Sequence, residues 1–265
     1  MSHKQLSIHE YQEKSFIPKD IETIEKVIHA IDQGEVRLAH YNNGTWMPNT
    51  WAKQVILAYF KTQKNQLIPG NHTCYFDKIP SKFADFSEQQ FLDAQIRVVP
   101  GAQVRYGAFI GAHCVLMPCF INIGAYVGQH TMIDTFASIG SCAQIGSHCH
   151  ISAGAGIGGV LEPLQANPTI IEDHVFVGAR SEIVEGVVVK KGAVIGMGVF
   201  ISPSTKIYDR VHQRHLQGYI PENAVVIPGT TIADDGHYGL NSAIIVKYAD
   251  AKTRAKVQLN ELLRP

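Results

Sequence analysis

From residue 97 onward, charged residues recur with side chains suited to proton transfer and to anion binding. The carboxylates are Asp134, Glu172, Asp173, Glu182 and Glu185. The cations are Arg97, Arg105, Arg180, Lys190, Lys191, Lys206 and Arg210. A partly buried carboxylate can exchange protons near neutral pH, guanidinium groups bind carboxylates, and lysines bind phosphates. For each of these residues taken alone, the alternative interpretation is a solvated surface side chain.

A glycine-rich segment, 154–159 (GAGIGG), precedes the sequence VLEPLQANP at 160–168. Gly154, Gly156 and Gly159 match the G-x-G-x-x-G spacing of dinucleotide sites, but no strand–helix–strand unit surrounds them. Two prolines in 160–168 favour a loop, since proline cannot extend a ladder of strands. Backbone N–H groups of Gly158 and Gly159 are candidates for binding an oxyanion or part of a cofactor.

The element that must position these residues is indicated by a repeat of six. Large aliphatic residues recur in three phased blocks, at 98, 104, 110 and 116, at 121 to 157, and at 171 to 207. The second block is slipped by one residue from the first, and 158–170 separate it from the third. A period of six fits neither a helix nor a flat strand. It predicts a triangular coil in which each hexapeptide forms one short strand and one corner, and stacked coils bury a continuous aliphatic column.

Two further positions of the repeat have restricted side chains. Small residues such as Ala108, Ala125 and Ala143 follow the aliphatic by four, and we expect them to leave room beside it. Glycines such as Gly128 and Gly178 often follow the aliphatic directly, and we expect them to tolerate the corner geometry.

Regions of different pattern flank the coil, and we divide the chain into 1–96, 97–210 and 211–265. In the first, Asp20 is the predicted cap of a helix with apolar residues Ile21, Ile24, Val27, Ile28 and Ile31, ending near Gly34. A turn at 42–44 and a second helix around 51–60, capped by Thr50, follow. In the last, 224–227 and 243–246 are predicted strands, and 251–263 a basic amphipathic helix. An open-ended coil needs such caps.

Histidines and cysteines raise the question of metal or thiol chemistry. His113, His130, His148 and His174 each fall three residues after a repeat aliphatic, so His130 and His148 should stack on adjacent coils. The gamma-type carbonic anhydrases bind zinc on such coils, but with two histidines five residues apart, a pair that this coil lacks. We therefore predict no metal. The five cysteines lack a CxxC pair, so we expect reduced thiols packed as small hydrophobic residues.

Composition excludes several functional classes. Lys+Arg and Asp+Glu number 23 each, so no overall field attracts nucleic acid or an anionic membrane. No uncharged apolar run approaches the roughly 20 residues of a membrane span, and residues 1–19 lack the apolar core of a signal peptide. We predict a cytoplasmic protein with no nucleic-acid or membrane partner.

Several segments resemble those of the tetrahydrodipicolinate N-succinyltransferases, a family of hexapeptide-repeat transferases. They are 97–100 (RVVP), 122–127 (NIGAYV), 131–135 (TMIDT), 140–146 (GSCAQIG), 156–168 (GIGGVLEPLQANP), 178–182 (GARSE), 207–210 (IYDR) and 250–254 (DAKTR). The resemblance extends from about residue 75 to the end and is looser before that. The tail after Arg264 is short, and 212–216 match no segment that we recognise in the family.

The resemblance implies a mainly β fold, a left-handed parallel β-helix of hexapeptide repeats with an α-helical N-terminal domain and a small mixed C-terminal cap. It implies a homotrimer with sites between subunits, and transfer of succinyl from succinyl-CoA to a ring-opened dicarboxylate amine on the path to diaminopimelate and lysine. Asp134 and Glu182 carry over as acid/base carboxylates and Arg97 as a substrate ligand. We add Arg180 for substrate carboxylates, with Asp134 also contacting substrate, and Lys190, Lys191 and Lys206 for CoA phosphates.

Two alternatives remain open at this point. A related class acetylates the same acceptor from acetyl-CoA, and a cation placed to meet the distal succinyl carboxylate would separate the two. A coil without enzymatic activity, serving as an assembly scaffold, is the other, and CoA binding would argue against it.

Overall fold

Helices and hairpins make up the part of the protein before the coil. The computed structural model describes residues 20–70, 73–233 and 235–249. Its first elements are α1 (Ile21–Asp32), β1 (Ala39–Asn42), β2 (Thr45–Pro48), α2 (Thr50–Thr62), β3 (Gln66–Pro69), β4 (Cys74–Asp77) and α3 (Glu88–Ala94). The predicted cap of α1 is confirmed, since the Asp20 carboxylate accepts a 2.8 Å hydrogen bond from the Thr23 N–H. Of the predicted apolar face, Ile21 is exposed and the other four residues are buried.

The predicted cap of the second helix is wrong. Thr50 is already the first residue of α2, and Asn49 is the N-cap. The Asn49 side chain does not cap the helix, because its Oδ1 lies 2.7 Å from His40 Nδ1 and its Nδ2 donates to the Arg37 carbonyl at 2.6 Å. The predicted turn at 42–44 is confirmed, with Asn43 and Gly44 at positive φ between the antiparallel strands β1 and β2.

Short parallel strands then form the coil. They are β5 (Arg97–Val98), β6 (Gln103–Val104), β7 (Phe109–Ile110), β8 (Val115–Leu116), β9 (Phe120–Ile121), β10 (Tyr126–Val127), β11 (Met132–Ile133), β12 (Ser138–Ile139), β13 (Gln144–Ile145), β14 (His150–Ile151), β15 (Gly156–Ile157), β16 (Ile170–Ile171), β17 (Phe176–Val177), β18 (Glu182–Ile183), β19 (Val188–Val189), β20 (Val194–Ile195), β21 (Phe200–Ile201) and β22 (Ile207–Asp209). The second residue of each of β5 to β21 is the predicted repeat aliphatic.

Every third strand belongs to the same sheet, so the coil has three faces. Sheet I contains β5, β8, β11, β14, β17 and β20. Sheet II contains β6, β9, β12, β15, β18 and β21, and sheet III contains β7, β10, β13, β16 and β19. The one-residue slip predicted from the sequence is seen as a shortened coil. The coil from Leu116 to its ladder partner Ile133 contains 17 residues, one fewer than three hexapeptides.

The aliphatic column fills the interior of the coil. Ile133, Ile139, Ile145 and Ile151 are each 0% exposed, and the small residues Ala125 and Ala143 are buried between them. One buried aliphatic side chain contributes about 1.5–3 kcal/mol, so the column is the main source of stability in the coil.

Glycine is required directly after the aliphatic residue for a different reason from the predicted one. The third residue after the aliphatic, not the first, has positive φ, as at His130 (φ 57°) and Arg180 (φ 60°). At Gly128, a Cβ would lie 2.6 Å from the carbonyl carbon of Gly146 on the next coil. Glycine is therefore required there by the close approach of adjacent coils rather than by corner geometry.

The N-terminal helices share a hydrophobic core with the coil. Ile28 of α1 and Ile56 of α2 belong to one buried cluster with Ile123 and Cys142, which lie in turns of the coil. These helices therefore cover the side of the coil where sheets II and III meet.

The C-terminal cap continues sheets I and III. It contains β23 (Arg214–Leu216), β24 (Tyr219–Ile220), β25 (Ala224–Ile232) and β26 (Gly239–Tyr248). The strands predicted at 224–227 and 243–246 are confirmed as parts of β25 and β26, which pair antiparallel. The helix predicted at 251–263 lies outside the described residues.

A buried carboxylate links β22 to this cap. Asp209 is 0% exposed, and its Oδ2 accepts hydrogen bonds from Tyr248 Oη at 2.8 Å and Arg214 Nε at 3.3 Å. His212 Nδ1 lies 2.7 Å from the same oxygen. Burial alone would raise the pKa of Asp209, but the hydrogen bonds from His212 and Tyr248 lower it to about 2.

We expect Asp209→Asn to lower the free energy of unfolding at neutral pH by about 1–2 kcal/mol. This value allows for the half-exposed side chains of His212 and Arg214, whose interactions with the carboxylate are screened by solvent. The folded-state pKa is depressed, so the contribution is present above about pH 4 and is lost as the pH falls toward 2. Denaturant unfolding across this range checks it. The exposed Asp85→Asn is the control, and an unchanged pH dependence in Asp209→Asn would contradict the prediction.

Candidate functional site

Asp134 lies directly after β11, on the edge where sheets I and II meet. Its Oδ1 accepts a 2.6 Å hydrogen bond from the Thr135 N–H and a 3.3 Å hydrogen bond from Thr135 Oγ1. Its Oδ2 lies 3.8 Å from His150 Nε2, and the side chain is 27% exposed. One oxygen is thus anchored while the other remains accessible, as a group that exchanges protons with a substrate requires.

Glu182 opens β18, on the sheet II side of the same edge. Its ladder partner is Gly156, and a Cβ at Gly156 would overlap the Glu182 carboxylate. The missing side chain therefore provides the space in which the carboxylate lies. Burial raises the pKa of Glu182 above its ordinary value. A carboxyl group with a raised pKa is suited to general acid/base catalysis.

The two predicted acid/base residues do not contact each other within one chain. Asp134 lies in the turn after β11 and Glu182 begins β18, so two full coils separate them along the same edge. Adjacent strands of a sheet are 4.7–4.9 Å apart, which places the two residues about 10 Å apart along the coil axis.

The two predicted substrate arginines lie near this edge at different levels. Arg180 is at the positive-φ position of the turn before Glu182, and its Nε lies 3.5 Å from the point where a Gly154 Cβ would be. Arg97 is the exposed first residue of β5, on the same sheet as β11 but two strands earlier. Arg180 and Glu182 thus lie close in the same turn and strand, whereas Arg97 is two coils before Asp134.

The glycine loop leaves the coil after β15 and returns at β16. The Gly158 N–H donates to the Ile183 carbonyl at 2.8 Å, so the oxyanion role predicted for this N–H is wrong. Gly159 packs against the Gly140–Ser141 backbone, and the Val160 N–H donates to the Ser141 carbonyl at 3.0 Å. The loop therefore begins as a continuation of the ladder.

A buried lysine holds the far part of the loop, and sequence reasoning missed it. Lys53 of α2 is 0% exposed and donates from Nζ to the Ala166 carbonyl at 2.6 Å. Burial lowers the pKa of Lys53. In the sequence, a lysine in a helix indicates a solvated surface position, so no signal distinguished it.

The three predicted phosphate-binding lysines lie in two separate turns. Lys190 and Lys191 are in the turn between β19 and β20, where Lys190 Nζ is 5.3 Å from the centre of the Tyr219 ring. The Lys191 N–H donates to Glu172 Oε2 at 2.9 Å. Lys206 immediately precedes β22. The structure therefore does not bring the three together as one cluster.

Histidines form a continuous stack on the edge between sheets III and I. The rings of His113, His130, His148 and His174 follow one another at 4.5, 4.7 and 4.9 Å between centres. The predicted stacking of His130 on His148 is confirmed. Within the described ranges, no group of three or more His, Cys, Asp or Glu side chains is arranged to hold a metal ion.

The cysteines are free thiols, and four of the five are buried. Burial raises the pKa of Cys119, Cys142 and Cys149 to about 12. Such thiols are protonated at neutral pH and are poor nucleophiles, so they pack as small hydrophobic residues. Among the helices that the structure describes, none has the length and apolar character needed to span a membrane.

A further histidine near the candidate site was also missed. His150 opens β14 next to Asp134, and its Nε2 is buried without a hydrogen-bond partner among the described residues. Burial lowers the pKa of His150, and the Asp134 carboxylate acts in the opposite direction. His150 directly precedes the repeat residue Ile151, so it falls outside the histidine pattern three residues after each aliphatic.

Comparisons with known proteins agree with this fold. Residues 7–62 match the family described as tetrahydrodipicolinate N-succinyltransferase N-terminal. Residues 124–159 match the bacterial transferase hexapeptide (six repeats), and residues 168–203 match the hexapeptide repeat of succinyl-transferase. These matches confirm the predicted fold class, a left-handed parallel β-helix of hexapeptide repeats.

Curated relatives cover almost the whole chain. A 2,3,4,5-tetrahydropyridine-2,6-dicarboxylate N-succinyltransferase of Idiomarina loihiensis is 56% identical over 92% of this chain and 89% of its own length. The protein of that name from Sodalis glossinidius is 55% identical over the same shares. That from Acinetobacter baylyi is 52% identical over 93% of this chain and 91% of its own.

We expect Gly156→Ala to displace the Glu182 carboxylate toward solvent and to lower its pKa toward the ordinary value. The new Cβ meets the end of a flexible side chain rather than backbone, so the thermal unfolding midpoint should change little. A crystal structure and an NMR titration of Glu182 check this. Ser138→Ala, at the ladder partner of Gly156, is the matched control, and an unmoved carboxylate in Gly156→Ala would refute the prediction.

Proposed function

We propose that this chain, which belongs to the tetrahydrodipicolinate N-succinyltransferase family, transfers succinyl from succinyl-CoA to the amino group of ring-opened tetrahydrodipicolinate. The chain is a transferase of the hexapeptide-repeat class and uses an acyl-CoA as co-substrate. The product, N-succinyl-2-amino-6-oxopimelate, lies on the path to diaminopimelate and lysine. The observation that carries the proposal is the pairing of Glu182 with Gly156 on the edge that also contains Asp134, within segments that resemble the family.

The reaction is an acyl transfer by direct attack. The amine nitrogen bonds to the thioester carbonyl carbon, the C–S bond breaks, the amine loses a proton, and the CoA sulfur leaves and is protonated. Two proton transfers are therefore needed, one from nitrogen and one to sulfur or to the intermediate. Carboxyl groups can perform both when their environments differ.

Asp134 and Glu182 have different environments, which supports different roles. Asp134 accepts two hydrogen bonds through Oδ1 while Oδ2 faces His150, and it is the proposed base for the amine. The Glu182 carboxyl is held over Gly156, and burial raises its pKa. Glu182 is the proposed acid that delivers a proton as the thiol leaves, a role that its raised pKa supports.

Cations near the edge suit the carboxylates of donor and acceptor. Arg97 is proposed to bind an acceptor carboxylate, and Arg180, in the turn that leads to Glu182, a carboxylate close to the reacting centre. Lys190, Lys191 and Lys206 are proposed phosphate ligands of CoA, and Gly159 a backbone contact. Because the lysines occupy two turns, they would meet different parts of the long CoA molecule.

A homotrimer is proposed to complete the site. Large apolar side chains are exposed on the edge of sheets I and II and on sheet II itself: Phe136 is 79% exposed, Met197 70%, Phe200 53% and Phe120 41%. Exposed apolar residues of this kind mark protein interfaces. A second copy docked on this edge would bring its Glu182 toward Asp134, which the separation of about 10 Å within one chain prevents.

The free cysteines fit a reducing compartment, and we place the protein in the cytoplasm. Because burial raises the pKa of Cys142 and Cys149 to about 12, these thiols are unsuited to act as catalytic nucleophiles.

We expect thiol release from succinyl-CoA in the presence of tetrahydrodipicolinate. In Asp134→Ala the rate of release should fall several hundred-fold, within the range of about 10²–10⁴ that general base catalysis contributes, because the base is lost. Asp235→Ala, at an exposed carboxylate of the C-terminal cap, is the control. Rapid release from acetyl-CoA alone would assign the chain to the acetylating class. No release from either donor would overturn the proposed enzymatic function.

We expect co-expressed Asp134→Ala and Glu182→Ala chains to regain activity that neither variant has alone. In a cyclic trimer with sites between subunits, each trimer that contains both variants keeps both carboxylates at about one site in three. The measurement is thiol release by mixed trimers separated by two affinity tags. Mixed trimers as inactive as the single variants would show that each site draws both carboxylates from the same chain.

A further inference from the structure

His150 lies beside the proposed base at a position that the mechanism above does not use. It opens β14, its ladder partner is Met132 on β11, and Asp134 follows β11 directly. Its Nε2 is buried, has no hydrogen-bond partner among the described residues, and lies 3.8 Å from Asp134 Oδ2. Buried polar nitrogens are nearly always paired, so an unpaired one next to a candidate base needs an explanation.

The two oxygens of Asp134 are not equivalent. Oδ1 is engaged by the Thr135 N–H and hydroxyl, so the carboxylate is anchored from that side. Oδ2 is the oxygen that faces His150 and remains available for a substrate proton. A small rotation of either side chain would close the 3.8 Å separation to hydrogen-bonding distance. Catalytic hydrogen bonds are often long in unliganded enzymes and shorten when substrate binds.

The surroundings of His150 favour a neutral ring. Its neighbours on the adjacent strands of sheet I are Met132 and Phe176, and the Phe176 ring packs edge-on at 5.1 Å between centres. Asp134 is the charged group that acts on the imidazole in the described part of the chain, and burial lowers the pKa of His150. A neutral imidazole has one N–H, so it can donate a single directed hydrogen bond.

We propose that His150 is the positioning residue of the base, donating its Nε2–H to Asp134 Oδ2 when the acceptor substrate is bound. This inference rests on the proposed function and adds a residue to it. The hydrogen bond would fix the carboxylate plane from both sides, with Thr135 on Oδ1 and His150 on Oδ2. It would also favour the charged form of the carboxylate, which is the form that accepts the amine proton.

The test compares two substitutions at position 150. His150→Leu removes the donor and keeps an apolar side chain against Phe176, whereas His150→Gln keeps a side-chain N–H near the place of Nε2. We expect His150→Leu to lower kcat by about tenfold to a hundredfold with a smaller change in KM. The acidic limb of its kcat/KM profile should move to higher pH, because the carboxylate loses a donor that favours its charged form. His150→Gln should stay within about threefold of the parent chain and keep its pH profile.

His148→Gln is the matched control, since His148 is a histidine two residues away on the edge between sheets III and I. Thermal unfolding and subunit assembly of all variants separate loss of fold from loss of positioning. Equal losses in His150→Leu and His150→Gln, or an unshifted pH profile in His150→Leu, would overturn the inference while the parent chain remains active. An inactive parent chain would instead refute the proposed function.

Discussion

The aliphatic column of the coil is the constraint on which the rest of the structure depends. Each strand contributes one inward residue to the column, and most of these, such as Ile133 and Ile183, are completely buried. In a strand, neighbouring side chains point to opposite faces, so the residue before each aliphatic must face outward. Glu182 precedes Ile183 and His150 precedes Ile151, and their outward positions follow directly from the column. The catalytic candidates are thus placed by residues that have no chemistry of their own.

Close stacking of the coils adds a second restriction, which also shapes the site. At Gly128 and Gly178 the next coil approaches so closely that a Cβ would contact its backbone. At Gly156 the same kind of space is occupied instead by the carboxylate of Glu182, in the coil that follows. Desolvation by this packing is what raises the pKa of Glu182. The close stacking that requires glycine at Gly128 thus also leaves the space for the Glu182 carboxylate at Gly156.

The sequence predicted the periodic part of the molecule and missed contacts made across long separations. The aliphatic positions, the slip of one residue, the cap at Asp20 and the stack of His130 on His148 all depend on local spacing, and the structure confirms them. The bond from Lys53 to the Ala166 carbonyl joins residues 113 apart, which no local pattern encodes.

The misassigned details also have physical causes. Thr50 was chosen as a cap on residue type, but Asn49 occupies the N-cap position and its side-chain oxygen faces His40 instead of the helix. The Gly158 N–H was offered for an oxyanion, yet ladder pairing extends one residue beyond β15 and uses it. Capping by Ser87 and Gln90 was present in the sequence as a local signal, and it produces α3, a helix that the sequence analysis did not propose. Local structure was predicted correctly where the repeat sets it and incorrectly where a loop or a cap does.

The rigidity of the coil supports the proposal of a site formed between chains. Two residues on the same edge keep a separation set by the number of coils between them, and no hinge within the ladder can bring Asp134 and Glu182 together. Flexibility must then come from outside the coil or be replaced by a second copy. The apolar side chains of Phe136 and Met197 on that edge would be costly to leave in water, and covering them places another coil beside the carboxylates. Burial of the interface and assembly of the site would thus be the same event, and the subunit contact would itself be part of the catalytic apparatus.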